Sequence, residues 1–163
     1  MKKFELTAES KINIFGKKLF RIKALISFGD VEEGETGGWI EKEENLEQSS
    51  GNAWVYGNAE VYGNARVYGN VEVSGNARVS GDAEVSGNAD YTTIHGFGTQ
   101  FRTTTFFQCE DKQIRVSCGC FLGTIPEFRE QVKNTREGKI AEEYLMIADL
   151  MEKHFVKEKE SGE

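Results

Sequence analysis

The stretch from Gly51 to Thr92 reads GNAWVY GNAEVY GNARVY GNVEVS GNARVS GDAEVS GNADYT, seven six-residue units without an insertion. A fixed short period constrains architecture more than any local signal, because every unit must present the same geometry to its neighbours. Each unit opens with Gly, followed by Asn or, at Asp82, by Asp. The third residue is Ala, or Val at Val71, and the fifth is Val until Tyr91. Val between polar neighbours is the pattern of a half-buried strand. Gly-Asn makes a corner, since both residues tolerate positive φ. Ala beside that corner is small enough to point into a narrow interior.

Rewritten from the valine, each unit is aliphatic–any–Gly–Asn–small–any. In this it resembles the hexapeptide-repeat proteins. The resemblance implies a left-handed parallel β-helix, in which three hexapeptides make one triangular coil of eighteen residues. Seven units are then about two and a third coils, stacked at the strand spacing of about 4.8 Å. On that stacking Val55 lies under Val73 and then Tyr91, Val61 under Val79, and Val67 under Val85. Asn52, Asn70 and Asn88 form an amide ladder at one corner. The variable fourth residue sets Glu60 against Arg78 and Arg66 against Glu84, the opposite charges that stacked strands prefer. The third row, Trp54, Glu72 and Asp90, reads as a solvated edge, with a cation or ligand site as the alternative.

The flanks divide into three further parts. Residues 1–50 read as an N-terminal cap and an irregular first coil. Ile12–Phe15 and Leu19–Leu25 form a hairpin about Gly16, with Phe4–Leu6 as a short strand. Val31, Trp39 and Ile40 fill the irregular coil, and the polar run from Lys42 to Gln48 is a loop or short helical turn. Residues 51–92 are the regular repeat. In residues 93–122, Phe97 still falls on the valine position, so the coil is expected to wind on irregularly. Phe101–Phe107 and Ile114–Cys118 follow as strands about a turn at Glu110–Gln113, closing the lower end or projecting towards a partner. In residues 123–163, Thr124, Pro126 and Glu127 have the spacing of a capped helix start. Ile140, Tyr144, Ile147 and Met151 give a second helix one apolar face, and Lys157–Glu163 is a frayed tail. The expected architecture is mainly β: a short left-handed parallel β-helix with an N-terminal β-hairpin cap and two C-terminal α-helices.

A chain of 163 residues is one domain, or one with an appendage. Its 27 acidic residues outnumber 20 Lys and Arg, a net charge of −7. That balance argues against direct binding to a DNA backbone, which needs a basic face. No apolar run is long enough to span a membrane, and MKKFELTAES lacks the apolar core of a signal peptide. Three cysteines in such a chain suggest reduced thiols and a cytoplasmic setting. RIKAL, FGDV and GGWIEKEENL ahead of GNAWVYGNA also resemble a group of small hexapeptide-repeat proteins of bacteria and their phages. This implies a phage or mobile-element origin in a bacterial host cell and offers no catalytic motif to transfer.

Catalysis has few candidates. Acyltransferases of the resembling family use a His as general base in a cleft between the subunits of a trimer. Here only His95 and His154 exist, and His154 sits near the tail. Cys109, Cys118 and Cys120 are weak candidates for a zinc set, with a spacing unlike the usual pairs, and free cysteines are common in cores. No cofactor is expected. The expected function is non-enzymatic binding, with a host protein as first partner and a counter-defence inhibitor as the role. A small nucleotide-like ligand is the second reading, and acyltransferase activity the third. Trp39, Trp54, Tyr56, Tyr62, Tyr68, His95 and Arg102 are the candidate binding residues, the aromatics for stacking. Three tyrosines on successive sides make a belt that a homotrimer or homodimer would partly cover. Anionic ligands require a local cluster, for which Arg102, Arg115 and Lys23 are the candidates.

Overall fold

Residues 2–156 are described in a computed structural model, and they are mainly β with two helices at the C-terminal end. Strands β1 (Phe4–Ile12) and β2 (Lys18–Ala24) form an antiparallel hairpin, and β3 (Thr36–Ile40) adds to β2 antiparallel. The hairpin is longer on its first side than expected. β1 runs through the polar Thr7–Ser10, with a register shift between Leu6 and Ser10, and ends at Ile12. Ile12–Phe15 is therefore not a strand. Asn13 Oδ1 accepts from the Phe15 and Lys17 backbone N–H groups, both at 3.0 Å, and turns the chain early. An edge strand with much of its length in water carries no clear alternation, so periodicity did not reveal it.

The repeat units become two-residue strands: β4 (Trp54–Val55), β5 (Glu60–Val61), β6 (Arg66–Val67), β7 (Glu72–Val73), β8 (Arg78–Val79) and β9 (Glu84–Val85). β4 pairs with β7, β5 with β8 and β6 with β9, all parallel. The partners are eighteen residues apart, as in Val55↔Val73, Val61↔Val79 and Val67↔Val85. After three strands the chain thus returns alongside itself. Ile40 pairs above Val61, and a bridge joins Leu46 to Val67. All these aliphatic side chains are at most 1 % exposed and belong to one core. Full burial of a valine contributes roughly 1.5 kcal/mol or more. The expected pairs Glu60–Arg78 (4.0 Å) and Arg66–Glu84 (3.9 Å) are present. Partly exposed pairs at such distances contribute about 0–1 kcal/mol, so the aliphatic columns, not the charges, hold the stack.

Several residues depart from the expected stacking. Leu46, inside the polar run, fills the first turn with Ile40 and Val31, and a 3-10 turn at Glu43–Asn45 precedes it. Asn45 is fully buried: its Nδ2 donates to the Gly63 and Ala65 carbonyls, and its Oδ1 accepts from Glu41 and Lys42 N–H. Trp39 lies outside that core, packed with Leu19 and Tyr62. Trp54 is not on a solvated edge. It is 0 % exposed, edge-on to the rings of Phe4 and Phe28 at 6.3 and 5.4 Å, which cover it, while Glu72 in the same row is exposed. The corner asparagines bond to backbone rather than to each other. Asn70 Oδ1 accepts from Asn52 N–H, and Asn88 Oδ1 from Glu72 N–H. Asp90 folds back on the Ser86 and Gly87 N–H groups instead of facing Glu72.

The coil does not wind on past Thr92. Tyr91 is too large for the valine column; it is half-buried and donates its hydroxyl to the Glu72 carbonyl. The chain there enters an antiparallel sheet of β10 (Tyr91–Phe97), β11 (Arg102–Gln108), β12 (Ile114–Cys118) and β13 (Phe121–Thr124). β11 lies across the open end of the stack. Arg78 N–H donates to Thr105 Oγ1 at 3.0 Å, and Glu110 N–H to the Asp82 carbonyl at 2.9 Å. Phe107 and Cys109 join the aliphatic core on one side, and Phe106 faces the helices on the other.

Helices α1 (Ile125–Thr135) and α2 (Gly138–Phe155) cover that outer face. Thr124 caps α1: its hydroxyl accepts from Glu127 N–H, and the Glu127 carboxylate accepts from Thr124 N–H. Phe128, Val132, Tyr144, Ile147 and Met151 are buried between helices and sheet. The expected tail at Lys157–Glu163 lies outside the described residues. Among the described residues no helix is long and apolar enough to cross a membrane.

Candidate functional site

Three of the seven candidate binding residues are covered by the chain itself. Trp54 has no exposed surface, Trp39 is 6 % exposed and Tyr62 is 5 % exposed. The Lys11 ammonium lies 4.6 Å and the Arg21 guanidinium 4.4 Å from the centre of the Trp39 ring. Tyr62 packs against Leu19 and the Phe15 ring. The tyrosine belt is therefore closed over its middle member by the N-terminal hairpin, a cover expected from an oligomer. Tyr56 is half-buried and donates to Glu72 Oε1 at 3.3 Å. Burial, and then the Glu72 charge, push its hydroxyl up to about 12. Tyr68 sits beside Arg66 in a cleft of about 560 Å³ that also holds Glu43, Glu44 and Glu47.

His95 and Arg102 do come together. β10 and β11 pair with His95 opposite Thr103 and, after a bulge, Phe97 opposite Arg102. His95 Nδ1 is 3.2 Å from Thr103 Oγ1. Both residues line a groove of about 470 Å³. Arg78 enters it from β8, Phe101 from the β10–β11 tip, and Ile14 from the N-terminal turn. Sequence reasoning missed these three, seeing Arg78 only as the neighbour of Glu60.

Hydrogen bonds aim the two arginines. Arg78 Nη1 donates to the Gly119 carbonyl at 3.4 Å, and Arg102 Nη2 to Gln100 Oε1 at 2.6 Å. The Arg102 guanidinium packs directly on Gly119, where a Cβ would collide with it and where φ is +58°. The left-handed backbone favours glycine there, and a Cβ would make the Arg102 guanidinium shift. Among the described residues no carboxylate lies within 4.0 Å of Arg102 or His95. Arg78 reaches Glu60 at 4.0 Å, but Lys11 already holds that carboxylate at 2.9 Å. Among the described residues no acidic side chain lines the groove. An acidic chain thus carries one concavity of basic character.

The other candidates lie elsewhere. Arg115 pairs with Asp111 at 2.7 Å in a separate cleft of about 400 Å³, and Lys23 is exposed on β2, so neither joins Arg102. Cys109 is buried beside that cleft, and burial pushes its thiol up to about 11. Cys118 lies at the other end of β12, accepting from Thr104 Oγ1, and Cys120 is exposed at the groove. The three cysteines are not assembled into a ligand set, and among the described residues no cluster of three His, Cys, Asp or Glu side chains is placed to hold a metal. His154 is exposed near the end of α2, against the Phe155 ring.

No protein-family model matches the chain, and no curated protein matches it.

Proposed function

We propose that this chain is a non-enzymatic binding protein that holds an anionic partner in the groove of Arg78, His95 and Arg102. One observation carries the reading: three basic side chains line one concavity that, among the described residues, holds no acid, on a chain of net charge −7. The overall charge repels anions at long range, but screening limits that repulsion to about 8–10 Å, and local contacts decide affinity. We take the stacked strands as the short left-handed β-helix that the repeat resembles; the parallel partners eighteen residues apart support it. Such a frame holds the groove in place before binding, which lowers the entropy lost on association.

Catalysis is not part of the proposal. His95 meets a threonine hydroxyl and, among the described residues, no carboxylate within 4.0 Å, whereas a general base is normally held by an orienting partner. Between a host protein and a small nucleotide-like ligand, the open groove of about 470 Å³ favours the small ligand, being in the size range of small-molecule pockets. The resemblance to phage-borne proteins supports a bacterial cell as the proposed setting and counter-defence, by sequestering a host signal, as the proposed role. Self-association as a dimer or trimer is proposed as well, supported by Met146 and Leu150, exposed one turn apart on α2.

Calorimetric titration with inorganic pyrophosphate tests the groove. The folded protein is expected to bind it, more weakly as salt rises, and Arg102→Gln is expected to weaken binding about tenfold or more, the usual worth of a charge-assisted hydrogen bond. No binding, or binding unchanged in Arg102→Gln, contradicts the reading.

A further inference from the structure

Resting on that reading, we infer that the groove takes a nucleotide, its phosphates on Arg78, His95 and Arg102 and its base against Phe101. Phe101 is 65 % exposed, although phenylalanine is ordinarily a core residue. Its φ is +51°, a left-handed backbone that a bulky side chain seldom adopts. Strained residues of this kind gather at ligand sites, where the surrounding structure holds them. Ile14, 58 % exposed, reaches the same groove from a segment far away in sequence. The groove therefore offers two apolar surfaces as well as its basic cluster.

A ligand of phosphate alone would use the arginines and leave Phe101 and Ile14 in water. A purely apolar ligand would leave the Arg102 guanidinium without an anion and Arg78 with only the distant Glu60 carboxylate at 4.0 Å. A nucleotide meets both needs: its base has a flat π-face that stacks on an aromatic ring, and its phosphates pair with arginine. The side-chain amides of Asn76 and Gln100 line the same space and supply the donors and acceptors that a base edge requires. The volume suits one nucleotide rather than a strand.

The test compares three probes by calorimetry on the full chain: inorganic pyrophosphate, ADP and adenosine. ADP is expected to bind about tenfold more tightly than pyrophosphate, the range of one base stacked on one aromatic ring. Phe101→Ala is expected to bring the ratio of ADP to pyrophosphate affinity, both measured on the variant, close to one, and Phe101→Trp to restore it. Both substitutions are at an exposed position, and an unchanged melting temperature checks that the fold survives. Equal affinity for ADP and pyrophosphate, or an ADP margin that persists in Phe101→Ala, overturns the nucleotide assignment while leaving the anion groove standing. Failure of pyrophosphate and ADP alike to bind overturns both.

Discussion

Three cysteines show how much a residue's behaviour depends on where the chain puts it. Cys109 and Cys118 are buried, while Cys120 is exposed at the groove. Burial raises the Cys109 thiol from 9.0 to about 11. The fold therefore favours its protonated form. The associated stability is complete below about pH 9 and is lost as pH rises through 11. Iodoacetamide at pH 8 is expected to label Cys120 in the folded protein and to reach Cys109 and Cys118 only on denaturation. Labelling of Cys109 as fast as Cys120, read by peptide mass, would contradict its burial. At this scale the sequence was legible where the period governs. Val55, Val61 and Val67 stand over Val73, Val79 and Val85 because each unit repeats one geometry. Trp54 was illegible because Phe4 of the N-terminal hairpin covers it, a contact between residues some fifty positions apart. Leu46 and Asn45 were hidden by charged neighbours.

At the scale of elements, the stack makes a prediction that two glycines separate. Gly69 and Gly75 both have φ near +70°, at +70° and +66°. A Cβ at Gly69 would collide with the Ser86 carbonyl of the next turn, whereas a Cβ at Gly75 meets nothing within 4 Å. Gly75→Ala is expected to cost about 1–2 kcal/mol, for the left-handed backbone alone. Gly69→Ala is expected to cost at least about 1 kcal/mol more, since the turns must move apart. Urea denaturation of the two variants measures the difference, and equal costs would argue against close stacking at that corner. The helices were legible from Thr124 and Glu127 and from the spacing of Tyr144, Ile147 and Met151. Of the sheet between them and the stack, only β11 and β12 were legible as strands; β10 read as a continuation of the coil and β13 was missed. The sheet's place across the open end depends on Phe107 entering one core and Phe106 the other, which alternation allows but does not assign.

On the scale of the whole molecule, three layers follow one another: the stacked repeat with its hairpin, the antiparallel sheet, and the helix pair. The groove lies where the first two layers meet the N-terminal turn. It joins residues near positions 14, 78, 95–102 and 119, which no period relates, and so only His95 and Arg102 could be named from sequence. The central claim, that this groove captures an anionic small molecule, is tested most directly by native mass spectrometry. The protein is incubated with the small-molecule fraction of a bacterial lysate, and its native mass is compared with its denatured mass. The account predicts an added mass of a few hundred daltons, of nucleotide size, on the wild-type chain and none on Arg102→Gln. A bare wild-type protein, or the same adduct on both, would contradict it.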